Sequence, residues 1–276
     1  MATEEMKALP KSTSRPPELP QEQHKLFVEV LELMNRKKVP YVISGAFALH
    51  QHTGICRDTK DLDLFLPAQN VDHALEALRE AGFETEVPDP VWLAKAHRAD
   101  FFVDLITGMS NGAVTVEQSW IDRGTPCTVL GVPTRVLGAE ELVASKMFVT
   151  RRERFDGADI CHVIYGTRGK FDWDYMMDLV RQHGDHWEIL LWHLVLYQYV
   201  YPAYTDTVPR KVWDLLLGKF QQAVANPDHN AKFRGSLIDE NMFWIDMDEW
   251  GMANTLEDLR EAREPKISED AEQPAA

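Results

Sequence analysis

Cysteine is scarce in this chain. Cys56, Cys127 and Cys161 are odd in number and widely spaced, which excludes a disulfide framework and a paired-thiolate metal site and fits a reducing cytoplasm. No apolar run reaches 18 residues, so a membrane-spanning helix is not expected. Met1 to Pro20 is polar and holds four of the 15 prolines. It offers no apolar stretch for a signal peptide and reads as a disordered lead. Three nucleotide or metal signatures are also missing: Gly-x-x-x-x-Gly-Lys, Gly-x-Gly-x-x-Gly and His-Glu-x-x-His. Bases are outnumbered, 29 against 44 acids, for a net charge of −15. An acidic surface repels nucleic acid at long range unless a local basic patch overrides it, and it suits a small or cationic co-substrate. The plain alternative is that the acidity serves solubility.

What is present divides at about residue 137. Leu26, Phe27, Val30, Leu31 and Leu33 recur at helical spacing from Gln21 to Lys37–Lys38. Tyr41–Ile43 reads as a short buried strand, Ser44-Gly45 as a turn, and Ala46–Gln51 as a helix. Asp61–Leu66 is a second strand and Asn70–Ala81 an amphipathic helix with Gly82 after it. Phe83–Val87, Trp92–His97 and Phe101–Ile106 read as a meander. Cys127–Leu130 and Thr134–Val136 form a hairpin about Gly131-Val132-Pro133. Beyond Gly138 the spacing is helical throughout: Glu140–Glu153, Ala158–Tyr165, Trp173–His183, Trp187–Tyr201 and Arg210–Ala225. The expected organisation is a lead (1–20), an α/β core (21–137), a helical region (138–255) and an acidic tail (256–276).

The chemistry concentrates in Arg57-Asp58-Thr59-Lys60-Asp61-Leu62-Asp63-Leu64. Alternate side chains of a strand share a face, so Asp61 and Asp63 project together while Leu62, Leu64 and Leu66 face the core. Two adjacent carboxylates repel unless a cation neutralises them, and magnesium takes one or two protein carboxylates with water and substrate phosphates completing its shell. A solvated pair at a strand end is the bland alternative. Asp104 stands alone within Phe101-Phe102-Val103-Asp104-Leu105-Ile106, where an unpaired buried carboxylate would be costly. If its strand lies beside that of Asp61 and Asp63, the three acids form one cluster. Asp100 is a rival, but it sits where the strand begins and acids are usually solvated.

A Gly turn after a first strand, a short helix, Arg-x-Thr-Lys-Asp-x-Asp and a lone acid on a later strand together resemble the polymerase-beta-like nucleotidyltransferases. The small bacterial members, minimal and antibiotic-modifying, are the most similar. The resemblance covers Val39–Ile106 and extends more weakly to Ile164. It implies an α+β fold, a mixed sheet flanked by helices and followed by a helical C-terminal region. It also implies transfer of a nucleoside monophosphate from a nucleoside triphosphate such as ATP to an acceptor hydroxyl, with release of pyrophosphate. By position, Asp61 and Asp63 would bind two Mg2+ ions (Mn2+ serving in their place), Asp104 would bind the catalytic ion and help deprotonate the hydroxyl, and Ser44 and Gly45 would hold the triphosphate. The chain departs from the pattern at Ala46, after the Gly, and in the five residues between His52 and Asp58.

Cations should complete the triphosphate site. Lys146, in an otherwise apolar helix, is where similar proteins keep a phosphate-binding lysine; a surface lysine is the alternative. Arg57 and Lys60 flank the metal motif. The acceptor expected from the charge is a small molecule or a protein, with tRNA disfavoured. A toxin-type enzyme acting on tRNA and a non-catalytic nucleotide-binding module remain as other readings. Six of the eight tryptophans follow Lys170, which at helical spacing points to core more than to a stacking groove.

Overall fold

The computed structural model describes residues 19–263; nearly all of the expected lead and residues 264–276 of the expected tail lie outside them. The described chain falls into two compact units. One runs up to Gly138 and takes in the residues from Arg260 onward; the other is Ala139–Leu259.

The first unit is built on a seven-stranded sheet. Its elements in chain order are α1 (Gln21–Lys37), β1 (Val42–Ile43), α2 (Gly45–Thr53), β2 (Asp61–Phe65), α3 (Val71–Glu80), β3 (Glu84–Asp89), β4 (Leu93–Arg98), β5 (Phe101–Ile106), α4 (Gln118–Arg123), β6 (Thr125–Val129) and β7 (Val132–Val136). The spatial order is β3-β4-β5-β2-β1-β7-β6. The sheet is mixed: β2 runs parallel to β5 and β1 parallel to β7, and the remaining pairs are antiparallel. This is the α+β arrangement expected, with helices flanking a mixed sheet.

Period and burial agree closely here. Leu26, Phe27, Val30, Leu31 and Met34 form the buried stripe of α1, each contributing roughly 1.5–3 kcal/mol if fully buried. Lys38 ends the helix in the left-handed region. On β2, Leu62 and Leu64 are wholly buried while Asp61 and Asp63 are half-buried, so the alternation of the sequence is the alternation of the faces.

Two details differ from the sequence expectation. The β6–β7 turn is Leu130-Gly131, both at positive φ, the two-residue primed turn that matches strand twist; Val132 and Pro133 belong to β7 itself. The segment after β5 holds α4, which six residues were too few to announce. It carries Trp120, fully buried and stacked on Phe65 at 6.3 Å. Phe65 follows Asp61 and Asp63 on their face of β2, so Trp120 closes the inner end of that face.

The second unit is helical: α5 (Ala139–Lys146), α6 (Gly157–Gly166), α7 (Trp173–Gln182), α8 (Trp187–Val200), α9 (Arg210–Ala225), α10 (Trp244–Asp248) and most of α11 (Thr255–Glu261). Helix α5 packs on α6 and α7, α6 on α8, and α8 on α9. Trp173, Trp187 and Tyr197 are core, whereas Trp192, Tyr199, Trp244 and Trp250 are exposed. The helix expected over 140–153 stops at Lys146, because Arg151 and Arg154 exchange backbone bonds across a tight turn and Thr150 bridges Phe155. Among the described residues no helix is long and apolar enough to cross a membrane.

Candidate active site

Parallel pairing of β2 with β5 decides the geometry. Its register sets Asp63 opposite Asp104 and Asp61 opposite Phe102. Register partners in adjacent strands project to the same side, and so do residues two apart. Asp61, Asp63 and Asp104 therefore share one face of the sheet.

Local bonds fix the approach to β2. Thr59 Oγ1 donates to the Asp61 carbonyl at 2.8 Å and accepts from the Asp61 N–H at 3.3 Å. Gln23 of α1 donates to the Thr59 carbonyl at 2.8 Å. These bonds set where the strand starts, and with it which residues alternate inward. Arg57 and Lys60 are exposed beside this turn.

Ser44 and Gly45 lie next to Asp63. Antiparallel pairing sets Ile43 against Leu64, and the Ser44 N–H donates to the Asp63 carbonyl at 2.9 Å. Gly45 begins α2 at φ +57. A Cβ on Gly45 would stand 1.9 Å from Asp63 Oδ2 and 2.9 Å from its Cγ. Only glycine admits that approach. It brings the carboxylate against the first turn of α2, where backbone N–H groups lack helical partners and favour negative charge. Gly45→Ala is expected to cost about 1–2 kcal/mol for the left-handed backbone and the clash together. It should also loosen divalent-cation binding by turning Asp63 aside; a lower melting temperature and a weaker calorimetric isotherm would check this.

Asp104 has a partner that the sequence reading did not single out. Lys95 on β4 is its cross-strand neighbour, and Lys95 Nζ donates to Oδ1 at 3.0 Å and to Oδ2 at 3.2 Å. Burial pushes the Asp104 carboxyl above its ordinary range; Lys95 opposes that without cancelling it, and the charges of Asp61 and Glu86 add to the rise.

The donor set is three carboxylates on one face, hard oxygen ligands of the kind magnesium selects. Among the described residues no three His, Cys, Asp or Glu side chains are already drawn together as a metal site. Asp104 is held by Lys95, and Asp63 lies against Gly45. The residues fit the ion in chemistry and in face, with two of the three acids resting on protein partners.

Lys146, in the helical unit, is only 8% exposed. Its ammonium lies 2.5 Å from Asp156 Oδ2 and 3.0 Å from Asp159 Oδ2. Arg154 donates twice more to Asp156, at 3.0 Å each. Burial pushes the Asp156 carboxyl up, but Arg154 and Lys146 together outweigh it and hold the group below its ordinary value. The ion cluster accounts for a buried lysine at this position. Lys146→Ala removes the cation between two buried carboxylates, and should lower the stability of the helical unit by about 3 kcal/mol, read as a fall in the denaturant midpoint.

No curated protein is similar enough to the chain to count as a relative. Among solved structures, the chain is similar to the antibiotic-resistance factor ANT(2″)-Ia at 16% identity and a TM-score of 0.45, covering 63% of this chain and 98% of that one. The lincosamide antibiotic adenylyltransferase LnuA is similar at 16% identity and a TM-score of 0.38, over 52% of this chain and 96% of that one. JHP933 from Helicobacter pylori is similar at 12% identity and a TM-score of 0.39, over 76% and 99%. The family model described as "Uncharacterised nucleotidyltransferase" matches residues 20–198, a span that holds every strand of the sheet and all three aspartates. The chain belongs to that family, and is thus a nucleotidyltransferase.

Proposed function

We propose that this chain transfers a nucleoside monophosphate from a magnesium-bound nucleoside triphosphate to the hydroxyl of a small molecule or a protein. The register that sets Asp63 beside Asp104, with Asp61 on the same face, is the observation that carries the reading. Bound magnesium (or manganese) supplies charge neutralisation along the triphosphate and makes the acceptor hydroxyl more acidic. Asp61 and Asp63 would hold the ion. The first turn of α2, from Gly45 onward and beside Ser44, offers backbone N–H groups to phosphate oxygens. Arg57 and Lys60, exposed beside β2, supply further positive charge at the rim. Asp104 completes the ligand set and accepts the acceptor hydroxyl's proton. The new bond joins the acceptor oxygen to the α-phosphorus, the bond from that phosphorus to the bridging oxygen breaks, and pyrophosphate leaves in line. Catalysis on this reading is positioning and charge stabilisation.

The net charge of −15 argues for an acceptor that is not a polyanion, which sets tRNA behind small molecules and proteins. The test is incubation with each labelled triphosphate, magnesium and cell extract. A labelled small molecule or protein, with loss of labelling in Asp61→Asn, supports the reading. Labelled RNA would redirect the acceptor class, and no labelling with any triphosphate would favour a binding module.

A further inference from the structure

A row of charges crosses four neighbouring strands in matched register: Asp63 pairs with Asp104, Asp104 with Lys95, and Lys95 with Glu86. Strand pairing, not side-chain reach, sets Lys95 opposite Asp104. Both carboxylate oxygens of Asp104 accept from its ammonium, and the pair is well covered, at 26% and 15% side-chain exposure. The Phe102 ring lies 5.8 Å from the Lys95 nitrogen and covers one side of it. A carboxylate whose two oxygens both accept from one ammonium has half of its roughly four lone-pair sites taken, so an ion shared with Asp63 would compete with Lys95 for Asp104.

We propose that Lys95 is a built-in counter-cation: it holds Asp104 while the site lacks a divalent cation and must release it when that cation binds. Lys95 is then a positioning residue for the metal and sets how readily Asp104 joins the ligand set. The inference rests on the reading that Asp61, Asp63 and Asp104 hold magnesium. Charge explains both states. Three carboxylates on one face repel, and one ammonium relieves part of that repulsion; a dication entering among them relieves more and repels the ammonium. Released, Lys95 has another carboxylate within its own register, the exposed Glu86 on β3.

The experiment is isothermal titration of the full chain with Mg2+ alone, parent against Lys95→Met, which keeps the aliphatic stem and removes the charge. Magnesium should bind roughly two- to fivefold more tightly to the variant, the scale of a partly exposed ion pair. Unchanged or weaker affinity would overturn the proposal, as would a variant that loses only triphosphate binding, which would make Lys95 a phosphate ligand. A second measurement on the parent needs no variant to fold. Reductive methylation of Lys95, followed by mass spectrometry, should speed up severalfold at saturating Mg2+, and an unchanged rate would overturn the proposal. A parent that binds Mg2+ with Lys95 unmoved removes this inference alone. A parent that binds no Mg2+ removes the reading of the site and this inference with it.

Discussion

Asp104→Asn should lower labelled-nucleotide transfer by about two to four orders of magnitude, the usual contribution of a positioned proton acceptor, while triphosphate binding stays close to that of the parent. Asp61 and Asp63 lie on the neighbouring strand and are untouched by the change. On the proposed reading the change removes the proton acceptor and a charged metal ligand, both needed for attack and neither for holding the nucleotide. A parallel fall in binding would show that Asp104 holds nucleotide as well. The same variant carries a stability signature. The Asp104 carboxyl is raised, first by burial, so the folded chain binds its proton more tightly than the unfolded chain does. Ionised Asp104 therefore withholds stability at neutral pH, and that stability returns as pH falls through the raised value toward the ordinary one near about 4. In chelator, Asp104→Asn should melt higher than the parent at about pH 7, by roughly 2–4 °C for each kcal/mol relieved, and the gap should close toward about pH 4. Magnesium should raise the parent's melting temperature more than the variant's. An equal loss of stability with and without magnesium would make Asp104 a structural group instead.

Much of this site is legible in the residues, and its gaps have physical causes. The period-two alternation of Asp61 to Leu66 gives the face of the acids directly, because β2 has one buried side with Leu62 and Leu64 fully covered. Asp104 is legible as an anomaly in an apolar strand, but its adjacency to Asp63 is not, since parallel partners β2 and β5 are separated by α3, β3 and β4. Lys95 could have been found. A two-residue turn at Ala99-Asp100 pairs Arg98 with Phe101, and stepping back along that hairpin pairs Lys95 with Asp104. Asp100, the rival acid, is a turn residue of that hairpin. An isolated lysine in an alternating strand looks like any solvated side chain, so the signal lies in the pairing arithmetic. The Lys146 cluster was hidden for a different reason. A helix read as continuous to Glu153 would carry Lys146 away from Asp156 and Asp159, whereas the turn at Arg151–Arg154 folds them back onto it.

Asp61→Asn combined with Asp63→Asn should abolish measurable magnesium binding, a loss of more than about a hundredfold, because a hard dication depends on ligand charge that amide oxygens lack. In the parent, a non-hydrolysable triphosphate should tighten magnesium binding, since phosphate oxygens supply part of the coordination shell; in the double variant that coupling should vanish with the binding itself. Folding should survive. Both side chains are half-buried and the substitutions preserve shape, and Thr59 anchors β2 through the backbone of residue 61. Removing two of three clustered charges also relieves repulsion, so the metal-free double variant should melt no lower than the parent. This separates it from Gly45→Ala, which keeps every carboxylate and should lose stability first and affinity second. The calorimetric titration decides the matter without knowledge of the acceptor. A double variant that still binds magnesium and triphosphate as the parent does would place the nucleotide site away from β2, and the register of Asp63 with Asp104 would then be a feature of the sheet alone.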